Sequence, residues 1–488
     1  MNRRRFLQGS AALVGADALG PWWLAGCSRP TPGIPVNDVH SQLNQTTVSE
    51  VFAPRSLDEL AAYVRALPRG DALAVAGGRH SMGGQQFASG ARLVQMDALG
   101  RVLALDAERG IADVEAGIQW PDLIRRLVER QAGAAKQWGI VQKQTGADRL
   151  SIGGALASNI HGRGLRLQPM VGDVESFTLV APDGALLNCS RDEHPELFRL
   201  AVGGYGLFGI VAAVRLRLAP RIKIERVVEL ADVDDLPGHI AQRVSDGYLY
   251  GDGQFEIDPA SDGFLRRCVF STYRPAARDA EISPGQKALA REDWQRLLLM
   301  THTDKSAAFE IYSDYYLSTS GQVYWSDTHQ LSTYIDDYHL AIGAGTEMIS
   351  EVYVPRARLG ELMGRLRDDF RRNTVDVIYG TVRFIERDDE TFLPWARDSF
   401  ACVVLNFHVD HGAAGLEKAK ADFQRLIDHA LALDGSYFLT YHRWARRDQL
   451  KRAYPQFEAF LREKLAWDPD ERFQSDWYRH YRSMVLGR

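Results

Sequence analysis

At 488 residues the chain is long enough for two domains or one two-lobed unit, and 45% hydrophobic with 25% charged residues is the composition of a globular protein. A formal net charge of −5 offers nucleic acid no basic surface, so that class of partner is set aside. Four scattered cysteines with no metal-like or redox spacing argue against a disulfide framework.

The first element in chain order is not part of the fold. Residues 1–27 combine a basic head, a weakly apolar stretch and a small-residue exit, the pattern of an export signal. Arg3-Arg4-Arg5-Phe6-Leu7-Gln8 resembles the twin-arginine export motif, and Leu24-Ala25-Gly26-Cys27 resembles a bacterial lipoprotein box. On that resemblance the chain is cut before Cys27, Cys27 carries lipid, and the protein lies on the periplasmic face of a bacterial membrane. An ordinary export signal with an incidental cysteine is the alternative. Residues 28–44, rich in proline and polar side chains, read as a linker.

A lobe over 45–220 follows. Ser56-Leu57-Asp58-Glu59 is a capping box that opens a helix through about Leu67, and an apolar strand ends at Ala76. The loop Gly77-Gly78-Arg79-His80-Ser81-Met82 comes next. Alternation on both sides of Glu108-Arg109-Gly110 predicts a hairpin, and apolar spacing predicts a helix over Trp120–Arg130. A second glycine-rich loop runs from Gly146 to Gly164. A further hairpin turns at Pro182-Asp183-Gly184, a short helix follows, and a strand from Ile210 closes the lobe. Gly204-Tyr205-Gly206-Leu207-Phe208-Gly209 satisfies G-x-G-x-x-G, but a helix precedes it and a strand follows, the reverse of the dinucleotide fold, so a Rossmann reading is rejected.

Residues 221–445 have a different texture, with many Tyr and Trp and long alternating runs such as Phe400 to Asp410. They predict an antiparallel sheet covered by helices. The segment 446–488 is aromatic, charged and helical in pattern, and returns to the first lobe. In "NFHVDHG", His408 and Asp410 share one side of a strand and His411 takes the other, so a metal face there is not expected.

Glycine-rich loops after strands suit an anionic pyrophosphate, and neither loop has the lysine and hydroxyl pair of a nucleotide-hydrolysing P-loop. A redox dinucleotide remains. Four stretches, "AVAGGRHSMGG", "LSIGGALASNIHGRG", "GGYGLFGIVAAVRLRL" and the C-terminal forty residues, resemble the FAD-linked oxidases of the vanillyl-alcohol oxidase and p-cresol methylhydroxylase family, in its sugar-alcohol and aldonolactone oxidase branch. The resemblance implies an α+β fold, with a two-subdomain PCMH-type FAD-binding lobe and an antiparallel-sheet substrate lobe covered by helices.

It also implies site residues. His80 falls on the position that in this family often bonds covalently to the flavin, with Arg79 where a glycine is more usual. Gly77, Gly78, Arg79, Ser81 and Met82 surround it. In the second loop Ser151, Gly153, Gly154, Ser158, Asn159 and the pair His161-Gly162 are expected against the flavin, with the Ile210 backbone toward the adenine side. The family's Glu-x-Arg strand is represented by Thr381-Val382-Arg383, which keeps the arginine without the acid. Arg383 is expected either to orient substrate oxygens or to form a surface ion pair with Glu386 or Asp388. His442 is expected as proton acceptor and Arg443 as the cation beside the flavin. The implied reaction is oxidation of a CH–OH group of a polyol, sugar or aldonolactone, with O2 or a respiratory carrier taking the electrons. A flavin-binding lipoprotein without catalysis, and an oxidase of phenols or amines, are the competing readings.

Overall fold

The computed structural model describes residues 33–332 and 345–487; the segment 1–27 expected to be an export signal, with Cys27, lies outside them. Ser56 caps the first helix, Leu57–Ala66, by accepting a hydrogen bond from the Glu59 amide at 3.1 Å, and Leu60, Ala61 and Val64 face the core. That helix leads into a small parallel sheet in which Arg92–Gln95 lies between Glu50–Phe52 and Leu73–Ala76. Residues 34–44 are not a linker. Ile34–Val36 pairs with Thr46–Val48, and the Asp38 carboxylate gathers the amides of His40, Ser41 and Gln42 into a tight turn. Proline and polar residues here build a turn, not a tether.

The second subdomain is an antiparallel sheet in the order Leu186–Ser190, Val174–Val180, Ile210–Pro220, Ile111–Glu115, Val102–Asp106, with Trp138–Ile140 paired to the far end of Ile210–Pro220. Gly110 and Gly184, at φ of 69° and 78°, turn its two hairpins. The helices Trp120–Arg130 and Ile152–Ser158 cover one face through Leu123, Ile124, Leu127, Ile152 and Leu156. The second glycine-rich loop is thus interrupted by a helix, which Ser151 caps by accepting from the Gly154 amide at 3.2 Å.

Beyond Pro220 the chain builds an eight-stranded sheet in the order Val323–Trp325, Lys223–Asp232, Arg267–Pro275, Tyr250–Phe255, Val377–Ile385, Phe400–Asp410, Gly345–Pro355, Ser436–Tyr437. Every pairing in it is antiparallel. Helices Leu359–Arg372 and Ala413–Leu431 pack on one face, against Val352, Val354, Val403, Leu405 and Phe407. Because side chains alternate, the opposite face carries Ile349, Glu351, Tyr379, Thr381, Arg383, Val404 and Asn406. This face turns away from those two helices and toward the helices Arg291–Thr303 and Lys305–Ser318, whose Trp294, Tyr312 and Tyr316 stand across a cleft from it.

The C-terminal segment ties the lobes together. Leu73 donates to the Arg472 carbonyl at 2.6 Å and accepts from Gln474 at 2.9 Å, the Trp467 indole donates to the Phe208 carbonyl, and the Trp477 indole donates to the Leu439 carbonyl. Among the described residues no helix is long and apolar enough to cross a membrane. Cys189, Cys268 and Cys402 are buried and unbridged.

Candidate active site

A cavity runs between the two loops of the first lobe and reaches the substrate sheet. Gly77, Gly78, Arg79, His80, Ser81 and Met82 form one wall, and Ser151, Gly153, Gly154 and Ser158 form another. Tyr205, Gly206, Phe208, Gly209 and Val211 line it from the rejected fingerprint, whose glycines sit between the helix Pro195–Ala201 and the strand Ile210–Pro220.

The first loop is built for close backbone approach. A Cβ on Gly77 would lie 2.0 Å from Ser151 Oγ, and one on Gly78 would lie 2.2 Å from the Arg149 carbonyl oxygen. Gln95 clamps the loop by donating to the Gly77 carbonyl and accepting from Arg79 Nε, both at 2.8 Å. Arg79 has a φ of 58°, the left-handed region, which explains why glycine is the usual residue there. The amides of Gly77, Gly78, Arg79 and Ser81 donate to no other group among the described residues. Unused amides around a cavity are a cradle for an anionic group.

The second loop contributes differently from expectation. Its helix-start amides are spent: Ile152 donates to Ile118, Gly153 to Ala116 and Gly154 to Ser151. Asn159, at φ 48°, turns its side chain to Asp388 and to the Val171 amide, so it is a strut and not a cavity residue. Gly162 packs on Gln142 and Lys143, and Ile210 lies in the sheet opposite Val180. None of these three lines the cavity; the residues beside Ile210 do.

A second cavity lies against the polar face of the large sheet. Arg163, Arg226, Asp252, Glu351, Tyr379, Arg383 and Asn406 line it, with an aromatic wall of Trp294, Tyr312, Tyr315, Tyr316 and Tyr324. Gln144, Ile349 and Tyr441 line both cavities and mark where they meet. Gln144 Nε2 is 3.4 Å from Tyr441 Oη.

Arg383 lies in this cleft, only 4% exposed. The surface ion pair is excluded, since Glu386 pairs with Arg356 at 2.8 Å and Asp388 is taken by Asn159 and Thr391. Arg383 Nε and Asn406 Oδ1 are buried with no hydrogen-bond partner among the described residues. Leaving such groups unpaired costs about 1–3 kcal/mol each, so they await a ligand that supplies an acceptor and a donor.

The cleft also holds a buried carboxylate from another strand. Glu351, on Gly345–Pro355, stands opposite Val404, which stands opposite Thr381 on the arginine's own strand. Glu351 Oε1 is 3.1 Å from His161 Nε2, and Oε2 accepts from Tyr353 Oη at 3.1 Å. Burial alone would raise this carboxyl, but the His161 and Arg383 charges and the hydrogen bonds from His161 and Tyr353 hold it below the ordinary range. His161 Nδ1 lies 3.0 Å from the Gly162 carbonyl, which fixes the ring with Nε2 toward the carboxylate. His161 therefore reaches the site through Glu351, not as a wall of the flavin cavity.

His442 and Arg443 are elsewhere. The His442 ring is buried between Phe423 and Trp444 and accepts from the Trp444 amide; burial pushes its pKa down to about 3. Arg443 approaches Asn44 at 3.4 Å, and burial lowers it. Neither lines the flavin cavity or the cleft, so neither stands where the resemblance led us to expect the proton acceptor and the nearby cation.

Comparison with known proteins agrees with this geometry. Residues 48–190 match a family model described as FAD binding domain. The chain is 26% identical over 459 residues to L-gulono-1,4-lactone dehydrogenase of Mycobacterium tuberculosis (strain ATCC 25618 / H37Rv), covering 90% of this chain and 96% of the relative. It is 32% identical over 235 residues to cytokinin dehydrogenase 6 of Oryza sativa subsp. japonica, covering 44% and 43%, and 30% identical over 185 residues to cytokinin dehydrogenase 2 of Arabidopsis thaliana, covering 37% and 35%. The lactone dehydrogenase match extends well beyond the FAD domain into the substrate lobe. With the open amides and glycine-walled cavity fitting FAD, residues 48–190 form a FAD-binding domain, the chain resembles the sugar-lactone branch of the FAD-linked oxidases with a PCMH-type flavin domain, and it is a FAD-dependent oxidoreductase.

Proposed function

We propose that the chain oxidises a CH–OH group of an aldonolactone, or of a related sugar or polyol, held in the cleft with its reacting carbon facing the junction at Gln144, Ile349 and Tyr441. Bound FAD supplies the two-electron oxidant that takes hydride from that carbon. Arg383 donates to the substrate oxygen, Asn406 accepts from a second hydroxyl, and Glu351 receives the hydroxyl proton. The guanidinium makes that proton more acidic, which offsets the weak basicity of a carboxylate with a lowered pKa. His161 and Tyr353 position Glu351. The amides of the first loop hold the pyrophosphate, and His80, on the cavity wall, is the attachment point for the flavin.

The observation that carries this reading is the open Arg383 Nε lining the same cleft as Glu351, where that cleft joins the glycine-walled cavity. The aromatic wall supports a second reading, oxidation of an aromatic or amine substrate in the same cleft. Export by the twin-arginine route and anchoring through Cys27 place the enzyme at the periplasmic face, where O2 or a respiratory carrier accepts the electrons. An anaerobic panel of lactones, polyols, phenols and amines added to the yellow protein decides the substrate class by which of them bleaches it. Reoxidation by air or only by dye then decides the acceptor. Colour that no CH–OH donor bleaches defeats the proposal.

A further inference from the structure

The polar face of the substrate sheet carries a second constellation, four residues along the strand from Glu351 and so about 13 Å from it. Glu347 stands in register with His408 on Phe400–Asp410. His302, in the last turn of the helix Arg291–Thr303, meets them from outside the sheet. His302 Nε2 is 3.1 Å and His408 Nδ1 3.7 Å from the same Glu347 oxygen, and the three ligand atoms lie within 4.8 Å of one another. The two rings stand at 89° with centroids 5.3 Å apart.

Both imidazole nitrogens converge on one Glu347 oxygen. Neither His302 Nε2 nor His408 Nδ1 makes a hydrogen bond of acceptable geometry among the described residues, although the His302 side chain is only 6% exposed. A four- to six-coordinate cation with ligands at about 2.0–2.2 Å sets its ligand atoms roughly 3–3.5 Å apart, close to the spacings found. The surroundings favour positive charge. Asp376 and Asp410 act on His408, Lys305 is engaged by Asp376 at 2.9 Å, and His302 sits at the carbonyl end of its helix. Gly345 makes room: a Cβ there would lie 2.8 Å from the His408 ring.

We propose that His302, Glu347 and His408 bind a divalent transition-metal cation of the zinc class, its remaining positions filled by water. Two imidazoles and one carboxylate suit such a borderline cation better than calcium or magnesium, which prefer all-oxygen shells. The three residues line neither the flavin cavity nor the cleft, so the ion is structural. It pins to the sheet the helix that carries Trp294 into the cleft wall. The neighbouring residues of "NFHVDHG" take no part. His411 Nε2 is 2.9 Å from Thr346 Oγ1, and Asp410 accepts from the Gly412 amide.

The test uses tag-free, flavin-loaded protein stripped with chelator, titrated with Zn2+ alone in competition with a chromophoric chelator and followed in parallel by thermal denaturation. One equivalent per chain is expected to bind with a Kd near or below about 1 μM. His302→Ala and His408→Asn should each weaken binding by at least about tenfold, with the flavin spectrum unchanged. Glu347→Gln, which keeps the shape, should also abolish the Zn2+-dependent rise in Tm, and it carries the test if a histidine variant does not fold. Absence of saturable binding would overturn the site in favour of a bare ion-pair cluster. So would an equivalent that survives His408→Asn and Glu347→Gln, which would mark the metal as adventitious.

Discussion

The 3.1 Å contact between His161 Nε2 and Glu351 Oε1 joins the second loop of the flavin lobe to the next-to-last strand of the substrate sheet. The histidine comes from the end that holds the cofactor and the glutamate from the face that meets the substrate, so one hydrogen bond sets the relation of the two halves of the site. Removing the imidazole while keeping a donor, as in His161→Gln, should leave FAD bound and slow flavin reduction by about 10–100-fold, as loss of a positioning partner does. Glu351 then loses charge support as well, so the pH profile of reduction should shift. A rate change with an unmoved pH profile would make His161 a packing residue only.

The pH dependence of reduction separates Glu351 from an imidazole base. Because the carboxyl is held below its ordinary value of 4.5, it stays ionised as pH falls past that value, and the acid limb of the reduction rate belongs below pH 4.5. An imidazole of ordinary pKa would put the limb near about 6.5. Stopped-flow reduction across this range decides between them.

Arg383→Lys keeps the charge but not the planar donor pair, and should raise KM and lower the reduction rate together by about 10–100-fold; Arg383→Ala should do more. If Arg383 only backed the sheet, both variants would lose Tm without a selective loss of reduction.

His442 carries a stability prediction with a definite sign. Its folded pKa is pushed down to about 3 from 6.5, so as pH falls from 6.5 toward 3 the unfolded chain takes up a proton that the folded chain does not. Stability attributable to this group is whole above pH 6.5 and is lost progressively below it. His442→Phe should therefore lose less Tm between pH 7 and pH 4 than the wild type, with the pH profile of flavin reduction unchanged. An equal loss of Tm, or a shifted reduction profile, would count against the buried neutral assignment.

Much of the flavin lobe is legible in the chain because its signals are local. The Ser56 cap, the Gly110 and Gly184 turns and the alternation in Ile210–Pro220 each act over a few residues, and the structure has all of them. Non-local relationships are not legible in that way. The resemblance points to an acid two residues before Arg383, whereas Glu351, the acid proposed to act with it, comes from a strand that the order of the sheet places beyond Phe400–Asp410. One sign was available: Glu347, Ile349 and Glu351 alternate into the same face of an otherwise apolar run, and a glutamate in a buried strand asks for a partner. His442 and Arg443 were misplaced because the chain between Tyr437 and Arg447 is irregular, and periodicity says nothing about the side to which a residue turns there.

The first-loop glycines bear directly on cofactor retention. A Cβ at Gly77 collides with Ser151 Oγ, and overpacking of this kind costs about 1–3 kcal/mol, concentrated where the loop must approach the pyrophosphate. Gly77→Ala should purify with much of its FAD lost, whereas Arg79→Gly, which relieves a left-handed φ, should keep it. After denaturation, flavin should stay with the wild-type chain and leave His80→Ala; flavin released from the wild type would remove the attachment at His80.

The central claim is that the glycine-walled cavity holds FAD against a cleft in which Glu351 and Arg383 handle a hydroxyl. The most direct measurement is anaerobic reduction of the wild type and of Glu351→Gln by one lactone or polyol, read from the visible absorbance of the flavin. The account predicts two equally yellow proteins, with reduction slowed about 10²–10⁴-fold in the variant. A colourless wild type that takes up no FAD, or a Glu351→Gln protein that bleaches as fast as its parent, would contradict it.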